Sequence, residues 1–194
     1  MSMAFDAVSQ ASDEALLVLY GNGDRAAAHV LAQRFTPLAL RVATRMLGDG
    51  AEAEDVAQEA MLRLWRIAPE WRQGEAKVST WLYRVVANLC TDRLRRRRGV
   101  GLDEIAEPED GVPAVVDRMI ARDRANALQD ALDALPERQR QAVVLRHIEG
   151  LANPEIAAVM QIGVEAVESL TARGKRALTA HLAGQREELG YGHG

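Results

Sequence analysis

One stretch of the sequence carries side chains that are suited to hydrogen bonding with nucleic-acid bases. Asn and Arg on a helix in a DNA groove can form paired hydrogen bonds with base edges, and a terminal run of arginines can hold phosphate. The alternative is a solvated basic helix end, which is the more common fate of such a run. The side chains that share one face of this predicted helix, at spacings of three and four, are Arg84, Asn88, Thr91, Asp92 and Arg95.

The polar loop before this helix could receive a single base. Residues 70–79 are mostly polar, and Trp71 and Trp81 lie at or near the two ends of the loop. A base swung out of a duplex needs a stacking surface and hydrogen-bond partners, and this combination offers both. Plain packing of the tryptophans in a hydrophobic core is the competing interpretation.

A second segment, NPEIAAVMQIGVEAVESLTARGKRAL at residues 153–178, has the layout of a DNA-reading helix-turn-helix. Asn153 is a good N-cap, Pro154 suits the first helical position, and an early Glu155 suits the helix dipole. A tight turn is predicted at residues 161–163. An ordinary helical hairpin would have a similar pattern.

The second helix of this segment is predicted to have one buried stripe and one polar face, as a helix in a major groove requires. The predicted buried stripe consists of Val167, Leu170, Gly174, Ala177 and Leu178. The opposite face consists of Glu165, Glu168, Ser169, Ala172, Arg173 and Arg176.

The helix predicted at residues 51–68 carries two different faces. Its apolar face consists of Ala53, Val56, Ala57, Ala60, Leu64 and Ile67. Its other face holds Leu62 and Trp65 among charged and polar side chains. Apolar anchors with a charged rim are typical of protein-binding surfaces. Packing of Leu62 and Trp65 under a neighbouring helix is the alternative.

The whole chain reads as all-α, because no segment alternates polar and apolar residues long enough for a strand. Helices are predicted at residues 12–19, 24–46, 51–68 and 80–98, then one ending before Pro136, one at residues 136–148, and the two of the helix-turn-helix. Residues 99–115 contain acids, Gly and Pro but no base, and predict a flexible linker. This divides a domain at residues 10–98 from one at residues 116–186.

Composition excludes several classes of function. The 194 residues hold 24 Lys and Arg against 28 Asp and Glu, for a net charge of −4. The single cysteine, Cys90, permits no disulfide or zinc cluster within the chain, and no catalytic constellation is visible, so neither a cofactor nor enzyme activity is expected. The N-terminus has no signal sequence and no apolar run reaches membrane-spanning length, which predicts a cytoplasmic protein.

Three motifs together resemble the bacterial extracytoplasmic-function sigma factors. They are DVAQEAMLRLWR at residues 55–66, STWLYRVVANLCTDRLRRRR at residues 79–98, and LPERQRQAVVLRHIEGLANPEIAAVM at residues 135–160. They occur in the family's order, and the resemblance extends from residue 13 to residue 182. It implies two helical domains joined by a flexible linker, with core RNA polymerase and promoter DNA as partners.

The resemblance also implies a role for each polar surface. Contacts with core polymerase would come from Asp55, Gln58, Glu59, Leu62, Trp65 and Arg66. Reading and melting of the minus-ten element would involve Trp71, Lys77, Ser79, Thr80, Trp81, Arg84, Asn88, Asp92 and Arg95. Reading of the minus-thirty-five element would involve Glu165, Glu168, Ser169, Ala172, Arg173, Lys175 and Arg176.

The chain departs from the family pattern at three positions of the helix-turn-helix. Gln161 stands where the turn usually has Gly, so either a left-handed backbone there is strained or the turn has a different conformation. Glu168 replaces a residue that is basic in many members, and Leu170 replaces an Arg. Because a carboxylate can accept from a cytosine amino group, the preferred minus-thirty-five sequence should differ from the family's commonest one.

The resemblance further implies an anti-sigma protein that covers the polymerase- and DNA-binding faces until a stress signal releases the factor. Two other interpretations remain open at this point. A stand-alone helix-turn-helix regulator would bind duplex DNA by itself as a dimer. A protein-binding scaffold would make no use of Arg173 or Arg176 on DNA.

Overall fold

In a computed structural model, the described residues are 10–72, 74, 77–99 and 116–188, and within these ranges the chain is helical with no strand. The helices are α1 (Asp13–Gly21), α2 (Arg25–Leu47), α3 (Gly50–Ile67), α4 (Val78–Gly99), α5 (Val116–Asp133), α6 (Glu137–Val143), α7 (Asn153–Met160) and α8 (Val164–Glu188). The prediction of an all-α fold with two helical domains is confirmed. The linker predicted at residues 99–115 lies outside the described residues, except for Gly99 at the end of α4.

Local capping explains why the helices of the first domain begin where the sequence predicts. The Asp24 side chain accepts from the backbone N–H of Ala26 at 2.8 Å, and the Asp49 side chain accepts from that of Glu52 at 2.9 Å. Gly48 ends α2 in a left-handed conformation, with φ of 69°. The four predicted helices therefore agree with the observed bounds to within two residues.

The helix predicted at residues 51–68 ends at Ile67, and a short 3-10 helix follows at Ala68–Glu70. Two other local predictions were wrong. Ala152, rather than Asn153, is the N-cap of α7, and the Glu155 carboxylate accepts from the Ala152 backbone N–H at 3.0 Å. The single helix expected at residues 136–148 is α6 followed by a π-helical turn at Val144–Ile148. A π-helical turn widens the backbone spiral and is often found near functional positions.

Aliphatic side chains build the core of each domain, since the chain has few aromatics. In the first domain α2 packs against α3 and α4, and fully buried members of its core are Leu16, Leu17, Leu31, Met46, Leu64 and Leu82. In the second domain α6 and α7 pack on α8 around Leu132, Leu145, Ile156 and Val167. Burial of one such side chain contributes about 1.5–3 kcal/mol to the stability of the folded state.

No helix in the described part of the chain is long and apolar enough to cross a lipid bilayer.

The close approach of α6 to α8 depends on Gly174. A β-carbon at this position would lie 2.6 Å from Val143 Cγ2 and 3.2 Å from the Gln139 carbonyl oxygen. We therefore expect Gly174→Ala to destabilise the second domain by about 1–3 kcal/mol through overpacking, although Ala is the better helix former. Urea unfolding followed by circular dichroism measures this change.

The matched control for this substitution is Gly184→Ala in the same helix. A β-carbon at Gly184 would meet no atom within 4 Å. Gly184→Ala should raise the free energy of unfolding of the domain by up to about 1 kcal/mol, because Ala is the better helix former. Equal effects of the two substitutions would contradict the packing role of Gly174.

Candidate nucleic-acid and protein interfaces

The first candidate surface lies on α3. We call it the α3 surface and define it by Asp55, Gln58, Glu59, Leu62, Trp65 and Arg66. Asp55, Gln58, Leu62 and Arg66 are exposed, and 42% of Leu62 is accessible to solvent. Glu59 is half-buried and pairs with Arg63 at 2.8 Å, and this hydrogen bond lowers the pKa of the Glu59 carboxyl group. The surface therefore combines an exposed leucine with flanking carboxylates.

A shallow groove of about 340 Å³ runs along the α3 surface. Its lining includes α2 residues as well as the predicted positions, namely Thr36, Leu40, Glu54, Ala57, Gln58, Met61, Leu62 and Trp65. Trp65 is half-buried, with its ring 4.7 Å from that of Tyr20 on α1. Leu62 faces solvent, as a protein-binding surface requires. Trp65 is partly covered, as expected for packing against a neighbouring helix.

The second candidate surface includes the start and the outer face of α4. This α4 surface consists of Trp71, Lys77, Ser79, Thr80, Trp81, Arg84, Asn88, Asp92 and Arg95. Trp71 and Trp81 are half-buried and meet edge to face, with ring centroids 6.3 Å apart and planes at 86°. The Trp71 indole N–H is buried without a hydrogen-bond partner among the described residues. Both tryptophans therefore pack partly against the core while each keeps some exposed ring.

The polar members of the α4 surface differ in their accessibility. Asn88, Asp92 and Arg95 are exposed. The Arg84 guanidinium instead donates through Nη2 to the Ala158 carbonyl oxygen at 3.2 Å, and Lys77 pairs with Glu155 at 3.1 Å. Both acceptors belong to α7 of the second domain. Arg84 and Lys77 at the start of the predicted base-contacting row therefore contact the second domain, although 68% of the Lys77 side chain stays exposed.

The arginines at the end of α4 differ in their intramolecular partners. Arg97 pairs with Glu52 at 2.8 Å and donates to the Leu47 carbonyl oxygen at 3.1 Å. Arg98 lies 3.6 Å from Glu137 of the second domain. Arg95 and Arg96 are exposed. The last two arginines of the run therefore pair with carboxylates of this chain, although 66% of the Arg98 side chain stays exposed.

The third candidate surface is the outer face of α8. This α8 surface consists of Glu165, Glu168, Ser169, Ala172, Arg173, Lys175 and Arg176, all of which are exposed. Asn153 Nδ2 donates to Glu168 Oε1 at 3.4 Å. On the other side of the helix Val167 and Gly174 are buried, and Leu170 and Leu178 are half-buried. Ala177 is exposed, so its assignment to the buried stripe was wrong.

The turn of the helix-turn-helix contains a strained residue. Gln161 has φ of 54° and ψ of 47°, a left-handed conformation that Gly tolerates better than other residues. Since the strain at a non-Gly residue costs about 1–2 kcal/mol, Gln161→Gly should stabilise the second domain by about 1 kcal/mol. Thermal unfolding measures the change.

A matched control places glycine in an ordinary helical position. Ala180 is exposed in α8, and Ala180→Gly should lower the stability by about 1 kcal/mol because Gly is the weaker helix former. A loss of stability in Gln161→Gly of the same size as in the control would show that the turn is unstrained.

Sequence reasoning missed four side chains that join the two domains: Arg41, Tyr83, Arg140 and Glu149. Their partners lie far away in the sequence; Arg41 and Glu149 are 108 positions apart. The sequence offered only a weak signal, because each of these residues is a single charged or polar side chain among many.

Metal binding and thiol chemistry find no support in the described ranges. No group of three or more His, Cys, Asp or Glu side chains is arranged there to hold a metal ion. Cys90 is buried, and burial raises the pKa of its thiol to about 12. At neutral pH this thiol stays protonated and unreactive.

Comparison with known proteins assigns the family. The family model Sigma-70 region 2 matches residues 31–100, and the model Sigma-70, region 4 matches residues 125–178. The ECF RNA polymerase sigma factor SigE of Mycolicibacterium smegmatis is 34% identical over 178 residues, which cover 88% of this chain and 68% of SigE. The chain belongs to the extracytoplasmic-function (ECF) sigma factors. It is therefore a transcription initiation factor.

Two solved structures have a fold similar to that of this chain. CnrH in complex with the cytosolic domain of CnrY matches with a TM-score of 0.68 and 26% identity, covering 89% of this chain and 97% of CnrH. The sigma factor RpoE of Bartonella quintana, in complex with the anti-sigma factor NepR, matches with a TM-score of 0.62 and 19% identity, covering 78% of this chain and 94% of RpoE. The second likeness concerns the fold alone.

Proposed function

We propose that this ECF sigma factor divides its work among the three surfaces described above. The α3 surface attaches the chain to core RNA polymerase, the α4 surface reads and melts the minus-ten element, and the α8 surface reads the minus-thirty-five element. The first two belong to a domain at residues 10–98 and the third to one at residues 116–186, with residues 99–115 as the linker. One observation supports this proposal. The groove on α3 and the polar rows on α4 and α8 all face outward and lie on separate helices.

Attachment to polymerase is supported by the chemistry of the α3 surface. The exposed Leu62 sits in an apolar groove beside the half-buried Trp65, and Asp55 and Glu59 supply negative charge near it. An apolar anchor surrounded by charge supplies binding energy at its centre and selectivity at its rim. A positively charged helical partner fits these requirements.

Minus-ten melting is supported by the tryptophan pair at the start of α4. The exposed ring portions of Trp71 and Trp81 can stack a base that has left the duplex, and stacking is worth about 1–3 kcal/mol per base. Asn88 and Arg95 lie further along the same helix and can donate to base edges or phosphates. Strand opening then proceeds by capture of unpaired bases, without nucleotide hydrolysis by this chain.

Minus-thirty-five recognition is supported by the exposure of the α8 surface. Arg173 and Glu168 lie on the exposed face of α8. This face would point toward the bases if the helix entered a major groove. Glu168 is steadied by Asn153 and can accept from a cytosine amino group, while Arg173 can donate to guanine. Lys175 and Arg176 lie close by to neutralise phosphates.

The net charge of −4 fits a factor that works only on polymerase. Affinity for duplex DNA comes largely from phosphate neutralisation, so the free chain should bind DNA weakly. On polymerase the two reading surfaces act at a high effective concentration, and promoter affinity rises without new contacts. The chain therefore acts by binding rather than by catalysis. It acts in the cytoplasm, where the polymerase is found.

An anti-sigma factor is the proposed inhibitor of this chain, in a stress response. The exposed Leu62 groove needs an occupant when polymerase is absent, and CnrH and RpoE have both been solved with protein partners. At its natural level the factor should leave its promoters silent, whereas overproduction should activate them by exceeding the inhibitor. Constitutive activity in the host, with no sequestering partner, contradicts this proposal.

Runoff transcription on a promoter library tests the function. Purified chain is added to bacterial core polymerase, and transcripts are compared with those of core alone. We expect new, defined start sites that share minus-ten and minus-thirty-five sequences. A stand-alone regulator predicts no polymerase-dependent start sites and instead salt-sensitive duplex binding by the chain itself.

A further inference from the structure

The first helix, α1, contacts both ends of the segment that leads into α4. This segment runs from the 3-10 turn at Ala68–Glu70 to Val78, the first residue of α4. At one end, Gly21 at the C-terminus of α1 lies against Ala68. At the other end, Glu14 in the first turn of α1 is hydrogen-bonded to Val78. One short helix therefore contacts this segment at its entrance and at its exit.

Glu14 supplies the start of α4 with a carboxylate that the first turn of α4 lacks. The first N–H groups of a helix have no partner inside it, and the helix dipole favours a negative charge beside them. Ser12, Asp24 and Asp49 cap α1, α2 and α3 locally, whereas α4 has no acidic residue in its first turn. The half-buried Glu14 carboxylate accepts through Oε1 from the Val78 N–H at 3.3 Å. A side chain 64 positions away therefore fixes the start of α4 to α1.

Gly21 allows α1 to approach the carbonyl group that holds Trp71. The Ala68 carbonyl oxygen accepts from the Trp71 backbone N–H at 3.2 Å. A β-carbon on Gly21 would lie 2.9 Å from that oxygen and 3.3 Å from Pro69 Cα. Because both neighbours are backbone atoms, a larger residue at this position could be accommodated only by moving the turn. The absence of a side chain on Gly21 thus fixes where Trp71 leaves the turn.

These two contacts set the geometry of the tryptophan pair. Trp71 directly follows the 3-10 turn, and Trp81 is the fourth residue of α4. Their rings meet edge to face with centroids 6.3 Å apart, so a shift of either backbone changes the surface on which a base can stack. An aromatic surface that is held in place before binding loses less conformational entropy when a base stacks on it. Support from α1 therefore favours base capture.

We propose that α1 positions the base-stacking tryptophans of the α4 surface, with Glu14 and Gly21 as the two positioning residues. This proposal rests on the proposed function of the α4 surface. Neither residue is required to touch DNA or polymerase, because Glu14 acts through Val78 and Gly21 acts through the Ala68 carbonyl group. Loss of either contact should weaken the capture of unpaired minus-ten bases and leave attachment to polymerase through the α3 surface unchanged.

Circular dichroism of the free chain tests the positioning without DNA or polymerase. Two indole rings in edge-to-face contact give an exciton couplet in the far-ultraviolet spectrum, and Trp71→Phe defines the spectrum without it. Glu14→Ala and Gly21→Ala should each lose most of the couplet. Glu14→Gln should keep most of it, because its amide oxygen can still accept a hydrogen bond. The controls are Asp24→Ala, which removes the local cap of α2, and Gly50→Ala, whose β-carbon would meet no atom within 4 Å.

Binding to an unpaired minus-ten element tests the same residues in the complete holoenzyme. Core polymerase carrying each variant is titrated onto a promoter fork whose non-template minus-ten bases are unpaired. Glu14→Ala and Gly21→Ala should weaken binding by about fivefold, at the lower end of the roughly 5- to 150-fold effect of losing one base stack. The variant Glu14→Gln and the two controls should bind the fork nearly as well as the wild type. All variants should have the wild-type affinity for core polymerase.

The outcomes separate the positioning role from the proposed function. An unchanged couplet in either Glu14→Ala or Gly21→Ala overturns the positioning role, even if runoff transcription succeeds. An equal loss in Asp24→Ala also overturns it, because any lost helix cap would then have the same effect. Loss of the couplet together with weaker fork binding supports the proposal.

Loss of the couplet with wild-type fork binding overturns the claim that alignment of the tryptophans serves base capture. Runoff transcription then decides separately whether the sigma function stands. Thermal unfolding shows whether each variant is folded. If Gly21→Ala does not fold, the comparison of Glu14→Ala with Glu14→Gln carries the test.

Discussion

Leu62→Asp should lower the affinity of the chain for core RNA polymerase by about 30-fold or more, because central apolar anchors of an interface contribute about 2 kcal/mol or more. Leu62 is 42% exposed in the groove of the α3 surface, so a charged replacement places no carboxylate in the core. Helix content and unfolding temperature should stay near those of the wild type. The affinity is measured by titrating each variant over immobilised core polymerase.

Leu19→Asp is the matched control for this substitution. Leu19 is 37% exposed on α1 and does not line the groove, so the same chemical change is made at similar exposure elsewhere. We expect its affinity for polymerase to equal that of the wild type. If both variants bind polymerase as well as the wild type does, the α3 surface is not the attachment site. Asp55→Asn should weaken attachment by a smaller factor, since rim charges mainly affect the association rate.

The second large effect is expected from Arg173→Ala. Arg173 is exposed on the α8 surface, and apart from a 3.3 Å hydrogen bond to the Ser169 carbonyl oxygen of its own helix it is available to a base. A bidentate base contact is worth about 1–3 kcal/mol, so the variant should lose roughly 5- to 150-fold in discrimination at one upstream base pair. Attachment to polymerase should be unaffected. Competition transcription on promoters that vary at each upstream position measures the preference.

Arg124→Ala controls for the loss of one positive charge from the same domain. Arg124 is exposed on α5 and is not one of the residues of the α8 surface. It should leave the order of preferred promoters unchanged. A scaffold that uses its helices only for protein contacts predicts the wild-type preference in both variants, and that result would exclude the α8 surface as a DNA reader.

Helix existence and position were predictable because the signals are local. Asp24, Asp49 and Gly48 each act on backbone groups within a few positions of themselves, so their effect can be read directly from the sequence. At Gln161 the sequence left two alternatives, a strained left-handed backbone or a different turn, and its φ of 54° agrees with the first. Exposure of the α8 surface followed from helical periodicity, which requires no knowledge of the second domain's neighbours.

The wrong local predictions have a common cause in tertiary packing. The π-helical turn at Val144–Ile148 shifts the register at the end of the α6 segment, and no residue in it signals this change. Ala177 is apolar and belongs to the predicted buried stripe, yet the helices that pack on α8 bury only a narrower strip that includes Val167 and Gly174. The covering partner, rather than the helix itself, decides how wide a buried stripe is.

The domain contact lay beyond sequence reasoning altogether. Glu149 reads as one acid before a glycine, and Arg41 as one base within a long helix. Only folding brings Arg41 Nη2 to within 2.6 Å of Glu149 Oε2 and buries the carboxylate. Consequently the accessibility of Arg84 and Lys77 could not be predicted either, although their position on α4 could.

Equilibrium binding to one promoter duplex, with and without core polymerase, tests the central claim most directly. A fluorescent duplex carrying both elements and a scrambled duplex are titrated with the chain at one fixed salt concentration. The chain alone should bind both duplexes weakly and equally, and the chain with polymerase should prefer the promoter strongly over the scrambled duplex. If the chain alone selects the promoter as well as the complex does, its two domains do not depend on polymerase, and it acts as a stand-alone regulator instead.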